Sequence, residues 1–204
     1  MIPRNQNQGR LVFGFLKFIS LTLLAAPASA IAQSNLTIYT DSLATGWMDY
    51  SYSCTRNFAN TSPVHSGSDS ISVTITSAYG GLQLYHAPMT NTAYANITFW
   101  LNGGTTAGQQ LQMYGNLGTG PSGQSQRFYL NTPLVNTWLL YTVPLSALGV
   151  ANVTNFSGFA IQDSADSSEP TFYVDDIQLA SAAAPAVTRL EQRQRQRQPL
   201  RRGR

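Results

Sequence analysis

Asn96-Ile-Thr-Phe-Trp-Leu-Asn102 alternates along its whole length, with Ile97, Phe99 and Leu101 on one side and Thr98 and Trp100 on the other. Successive side chains of an extended chain point to opposite faces, so a period of two describes a half-buried β-strand whose apolar face meets a core. The pattern recurs on both sides of this stretch. Over 81–86, Leu82 and Leu84 oppose Gln83 and Tyr85; over 109–116, Leu111 and Met113 oppose Gln110, Gln112 and Tyr114; over 158–162, Phe159 and Ile161 oppose Ala160 and Gln162. Further runs rich in Val, Ile, Thr, Tyr and Phe fall at 36–39, 47–53, 70–76, 126–130, 138–144 and 171–179, punctuated by Gly, Asn, Pro and Ser. Short strands in such number without a sustained helical period predict two stacked sheets or a barrel. Only Leu145-Ser-Ala-Leu148 suggests a helical turn, and no repeat of solenoid or propeller length is present.

The bulk properties agree. The chain has 204 residues, 43% hydrophobic and 10% charged, a length suited to one domain with appendages and a composition unlike that of disordered chains or coiled coils. Its formal charge of +3 averages unlike segments. Residues 1–33 carry Arg4, Arg10 and Lys17 and no acid; residues 189–204 carry seven arginines against Glu191. Between them, Arg56 and Arg127 face eight acids, a formal −6. An acidic body is poorly built to grip a phosphate backbone, which argues against nucleic acid as a partner of the folded part.

The ends read as appendages. A basic start to Lys17, the apolar run Phe18-Ile-Ser-Leu-Thr-Leu-Leu-Ala-Ala26 and the small residues Ala28-Ser-Ala30 predict a secretory signal peptide over 1–30; the alternative is an uncleaved amphipathic anchor. The domain is expected over 34–180, followed by an Ala/Pro spacer over 181–188 and a disordered Arg/Gln-rich tail over 189–204. That tail suits an anionic surface, or carries no function. No later stretch has the length of a membrane span. Secretion fits five sequons, at Asn35, Asn60, Asn96, Asn152 and Asn155. Cys54 is the lone cysteine, so no intrachain disulfide supports the fold and the thiol reads as inert.

The polar faces of the strands carry the functional signal. Gln83, Tyr85, Trp100, Gln112, Tyr114 and Gln162 all lie opposite core positions. Sugar rings offer C–H faces that pack on aromatic planes and hydroxyls that need neutral donors and acceptors, both of which Gln amides supply. Such a face suits a saccharide chain; the bland reading is that loops or another subunit cover it. Ser70, Ser72, Thr74 and Thr76 read instead as plain solvated sheet.

The last strand poses a second question. With Ile177 and Leu179 on the core side, alternation places Tyr173 and Asp175 there too and points Asp176 away. An inward carboxylate needs compensation, and with no lysine in the body an oxygen-rich Ca²⁺ site would supply it. Asp41 and backbone carbonyls around Ser66-Gly-Ser68 are candidate ligands; the alternative is a neutral Asp175 or one satisfied by backbone donors.

Asn60-Thr-Ser-Pro-Val-His-Ser-Gly-Ser-Asp-Ser-Ile-Ser-Val73, Tyr79-Gly-Gly-Leu82 and Pro170-Thr-Phe-Tyr-Val-Asp-Asp-Ile-Gln-Leu179 together resemble non-catalytic carbohydrate-binding modules with the galactose-binding-like β-jelly-roll, over about residues 36–179. The resemblance implies a two-sheet β-sandwich with a structural Ca²⁺ held by Asp41, Ser66, Ser68 and Asp175 or Asp176. It also implies glycan binding through sheet aromatics, matching Tyr85, Trp100 and Tyr114, or at loop tips, where Trp47, Tyr50 and Tyr79 stand. Such modules usually accompany a catalytic domain, for which this chain is too short.

Two other function classes are weighed. A secreted adhesive or structural surface protein would use the same face for protein partners. A small jelly-roll glycosidase or polysaccharide lyase would need paired acids across the scissile bond. Asp163, Asp166 and Glu169 sit in a Ser-rich segment that reads as a solvated loop, and His65 and His86 are too isolated for a metal triad. The expectation is a non-enzymatic lectin-like module.

Overall fold

The computed structural model describes residues 34–119 and 125–181. The expected signal peptide, the spacer beyond Ser181 and the Arg-rich tail lie outside the described residues. Among those described, the chain forms eleven strands in two antiparallel sheets: β1 (Leu36–Tyr39), β2 (Trp47–Asp49), β3 (Cys54–Asn60), β4 (Ser70–Ile75), β5 (Gly81–Met89), β6 (Tyr94–Asn102), β7 (Leu111–Leu117), β8 (Phe128–Tyr129), β9 (Trp138–Pro144), β10 (Phe156–Asp163) and β11 (Glu169–Ser181). The six-stranded sheet runs β3-β4-β11-β6-β9, with β1 also paired to β11; the five-stranded sheet runs β2-β5-β10-β7-β8. This is the expected all-β, two-sheet sandwich.

The alternation seen in the sequence builds the core. Ile97, Phe99 and Leu101 of β6 and Phe172, Val174, Ile177 and Leu179 of β11 meet Leu82, Leu84, Met113, Phe159 and Ile161 of the other sheet, all fully buried. Each such side chain contributes roughly 1.5–3 kcal/mol of transfer free energy, which lets the sandwich stand without disulfides. The turn expected at Leu145 to Leu148 forms, closed by the Leu148 amide on the Pro144 carbonyl at 3.3 Å.

Two strand readings are corrected. β3, Cys54–Asn60, pairs with β4 but has no apolar alternation, because its side chains are half-buried or exposed at a sheet edge. The run at 47–53 ends as a strand at Asp49, where Asp49 Oδ1 accepts the Ser51 amide at 2.9 Å and turns the chain. Cys54 Sγ lies 3.4 Å from the Gly81 carbonyl, and burial pushes its thiol pKa up, in keeping with an inert thiol.

Candidate functional site

The outer face of the five-stranded sheet gathers most of the sequence-predicted ligand residues. Register across its three central strands pairs Gln83 of β5 with Ala160 and Ala160 with Tyr114, Tyr85 with Gly158 and Gly158 with Asn116, and Gln162 with Gln112. The central strand thus presents Gly158, Ala160 and Gln162 between flanking rows of amides and tyrosines. Gly158 is obligatory there: its φ is +130°, and a Cβ would run into the Leu84 carbonyl oxygen.

The amides and phenols bond to each other. Gln112 Nε2 donates to Gln162 Oε1 at 3.0 Å, Gln162 Nε2 donates to the Tyr52 hydroxyl at 2.9 Å, and the Tyr52 and Tyr114 hydroxyls lie 2.8 Å apart. Burial raises the Tyr52 pKa, against the pull of its Tyr114 and Gln162 bonds and of the exposed Arg127 bordering this face. Gln83, Gln112, Tyr114 and Gln162 are buried, so the face exposes other tyrosines: Tyr50, whose ring meets Tyr85 at 4.7 Å, Tyr79 and Tyr129. Gln83 Nε2, Gln112 Oε1 and both amide atoms of Asn116 have no hydrogen-bond partner. Tyr52, Asn116 and Tyr129 were not singled out in the sequence. The alternation Gln112-x-Tyr114-x-Asn116 was the signal that could have added Asn116.

Trp100 does not join this face. It belongs to β6 of the six-stranded sheet, opposite Asp175 and Leu140, and its side chain stands on that sheet's outer surface. Alternation assigns a residue to the non-core side but not to one of two sheets, which lie about 10 Å apart with their outer faces pointing away from each other. Trp47 is also displaced from its expected loop-tip role. It is 6% exposed and packs on His86 and on the core residue Phe159.

At the six-stranded sheet, Asp175 is not core-facing as the alternation implied. Asp176 adopts φ +48° and the ladder slips between Asp175 and Gln178, so Phe172 and Val174 before the bulge and Ile177 and Leu179 after it share the core side. Asp175 lies on the other side, buried under the loop at 65–69. Its Oδ2 accepts the His65 and Ser66 amides at 2.9 and 3.3 Å and its Oδ1 the Asp176 amide at 2.8 Å. Burial raises its pKa, and these amides oppose the rise. Asp176 takes the Ser66 hydroxyl at 2.8 Å and His65 Nδ1 at 2.7 Å. Asp41 Oδ1 accepts the Ser68 and Asp69 amides at 2.6 and 3.0 Å, which lowers its pKa.

The five expected metal ligands therefore do come together around this loop. Their carboxylates are turned to N–H and O–H donors, and among the described residues no three His, Cys, Asp or Glu side chains are grouped as a metal cage. Negative charge is nevertheless concentrated: burial first, then Asp175, Asp69 and Asp41, push the Tyr39 hydroxyl pKa well up.

Of the acids of the Ser-rich segment, Asp166 is exposed as expected, but Asp163 and Glu169 are not solvated. Asp163 is fully buried and accepts the amides of Tyr79, Ala165 and Ser167, while Glu169 accepts the Gln110 amide at 3.1 Å. Of the sequons, Asn152 and Asn155 lie on exposed loop and Asn35 is exposed, whereas Asn60 Nδ2 donates to Pro63 and Ser70, and Asn96 is half-buried in β6.

A sequence model of the family described as expansin-like protein C-terminal domain matches residues 38–182. No curated protein matches the chain in sequence. Among solved structures, it is similar to the Family 11 carbohydrate-binding module of a cellulosomal cellulase of Clostridium thermocellum, at 16% identity over 74% of this chain and 97% of that one, with a TM-score of 0.50. A second structure of the Clostridium thermocellum Family 11 module, in complex with a β-1,3-1,4-mixed-linked tetrasaccharide, matches at 16% identity over 74% and 98% of the two chains, with a TM-score of 0.53. The expected jelly-roll likeness to carbohydrate-binding modules is borne out at the level of the fold.

Proposed function

The chain belongs to the expansin-like protein C-terminal domain family, and from that premise we propose that it is a secreted, non-catalytic module that binds a neutral polysaccharide on the outer face of its five-stranded sheet. The observation that carries this reading is the chemistry of that face. Exposed Tyr50 and Tyr79 offer aromatic planes and hydroxyls above a buried layer of neutral amides, Gln83, Gln112, Gln162 and Asn116. Neutral donors and acceptors match sugar hydroxyls, and tyrosines match the C–H faces of the rings. The Clostridium thermocellum module of the same fold, solved with a tetrasaccharide, makes the reading consistent with the architecture.

Catalysis is not part of the proposal. Asp163 and Glu169 are buried and occupied by backbone amides, which leaves them unsuited to flank an open scissile bond, and Asp49 beside Tyr50 is paired with Arg56 at 2.7 Å. The proposal includes a structural Ca²⁺ at the 65–69 loop, with oxygens from Asp41, Ser66, Ser68 and Asp175 or Asp176. The carboxylates crowded around Tyr39 support it, with no Lys or Arg among the described residues that perturb that hydroxyl. A polysaccharide pull-down and glycan array with Tyr50→Ala and Tyr79→Ala beside the parent tests the binding face. Loss of retention in both variants is expected; unchanged retention overturns the face.

A further inference from the structure

We propose that Trp100 is the platform of a second saccharide site, on the six-stranded sheet, separate from the tyrosine face. A depression of about 290 Å³ opens beside it, lined by Thr37, Tyr39, Thr40, Trp100, Asp176 and Gln178. His65 stacks on Trp100 with ring centroids 3.9 Å apart and planes 16° from parallel, yet His65 does not line the depression. The indole therefore has one surface occupied by the imidazole and another turned to the cavity. His65 is itself pinned, its amide to Asp175 and its Nδ1 to Asp176, so the indole is held in place before any ligand arrives. Pre-organised aromatic surface costs little entropy on binding.

The rest of the lining sets the ligand class. Thr37 and Thr40 are exposed hydroxyls and Gln178 is a half-exposed amide, so the cavity offers neutral donors and acceptors around one aromatic wall. Asp176 lines it, and Asp175 of β11 and Asp41 after β1 hold the adjoining 65–69 loop by its amides, with no Lys or Arg among the described lining residues. With no cation on these carboxylates a uronate would meet like charge there, whereas a neutral pyranose would stack on Trp100 and bond to Gln178 and the threonines. Since β6 and β5 belong to different sheets whose outer faces point apart, one sugar chain cannot occupy both sites at once. The module then has two binding faces and bridges two polysaccharide chains.

The test follows the indole Nε1–H resonance of Trp100 by NMR, assigned by its loss in Trp100→Phe, while the intact chain in chelator is titrated with cellohexaose, mannohexaose, xylohexaose and hexagalacturonate. A neutral oligosaccharide is expected to shift this resonance and hexagalacturonate to leave it in place. Gln178→Ala is expected to weaken that shift by about tenfold in affinity, while Tyr50→Ala leaves it intact. An unmoved Trp100 resonance with all three neutral oligosaccharides overturns the second site, as does a shift equally strong in Gln178→Ala. Because Tyr50→Ala reports on the other sheet, failure of the tyrosine face and failure of the Trp100 site are read separately.

Discussion

His65 lies flat on Trp100 and turns its ring to the edge of Trp138, 5.7 Å away, so a loop residue fastens two tryptophans of the six-stranded sheet. Its hydrogen bond to Asp176 ties the same ring to the bulge in β11. Aromatic pairs contribute about 0.5–1.5 kcal/mol beyond burial. His65→Ala is therefore expected to lower stability by about 1–2 kcal/mol in urea unfolding and to shift tryptophan emission to the red. His65→Phe, which keeps a stacking ring, should recover most of the emission. An unfolding midpoint equal to the parent's in His65→Ala would show that the clamp contributes nothing.

At Gly158 the neighbouring backbone of β5 leaves no room for a side chain. With φ +130° and the Leu84 carbonyl in the place of a Cβ, Gly158→Ala imposes both strain and a clash. A loss on the order of 2–4 kcal/mol is expected, enough to lower expression of the folded protein. Gly118, with φ +79° but open space around its Cβ position, is the control. Gly118→Ala meets the strain alone and should cost on the order of 1 kcal/mol.

Glu169 couples stability to pH. Burial raises its pKa and Asp163 beside it adds to the rise, against the Gln110 amide. A raised folded-state value means the native protein holds the proton more tightly than the unfolded chain does. The associated stability is complete below the ordinary glutamate pKa and is lost as pH climbs through the folded value. Glu169→Gln removes the titration and keeps an oxygen for the Gln110 amide. Its melting temperature should exceed the parent's by a margin that grows from about pH 4 to pH 7. A margin that stays constant or shrinks toward neutral pH would contradict this assignment.

The strand alternation made nearly all of the core legible, because burial on one sheet face imposes a period of two whatever the neighbours are. The β11 bulge escaped for the same reason. Asp tolerates the left-handed region better than most residues, but nothing in Asp175-Asp176 says which of the two adopts it, and the single positive φ of Asp176 shifts every face assignment before it. Edge strand β3 lacked alternation altogether. The separation of Trp100 from Tyr85 depends on strand order, a long-range property that no local pattern encodes. At the 65–69 loop, Ser66 and Ser68 lie with Asp41, Asp175 and Asp176 as the resemblance implied, and His65 joins them unforeseen.

That convergence yields the remaining prediction, on calcium. Asp41 Oδ1 already accepts two backbone amides and its Oδ2 takes neither, so the carboxylate can support the loop and still offer an oxygen to a cation. Ligand that binds only the native state stabilises it by about 2.7 kcal/mol when present at about 100 times its dissociation constant. Added calcium should raise the melting temperature of the parent, and a chelator should return it. Asp41→Asn preserves an acceptor for the Ser68 and Asp69 amides but removes the charge. Its melting temperature in chelator should stay near the parent's while the calcium-dependent increment shrinks. Asp175→Asn should lose both, because its buried oxygens also receive the His65, Ser66 and Asp176 amides and an amide side chain brings donors into that nest. A parent protein that melts at one temperature with calcium and with chelator has no structural calcium, and the loop is then held by its amide–carboxylate bonds alone.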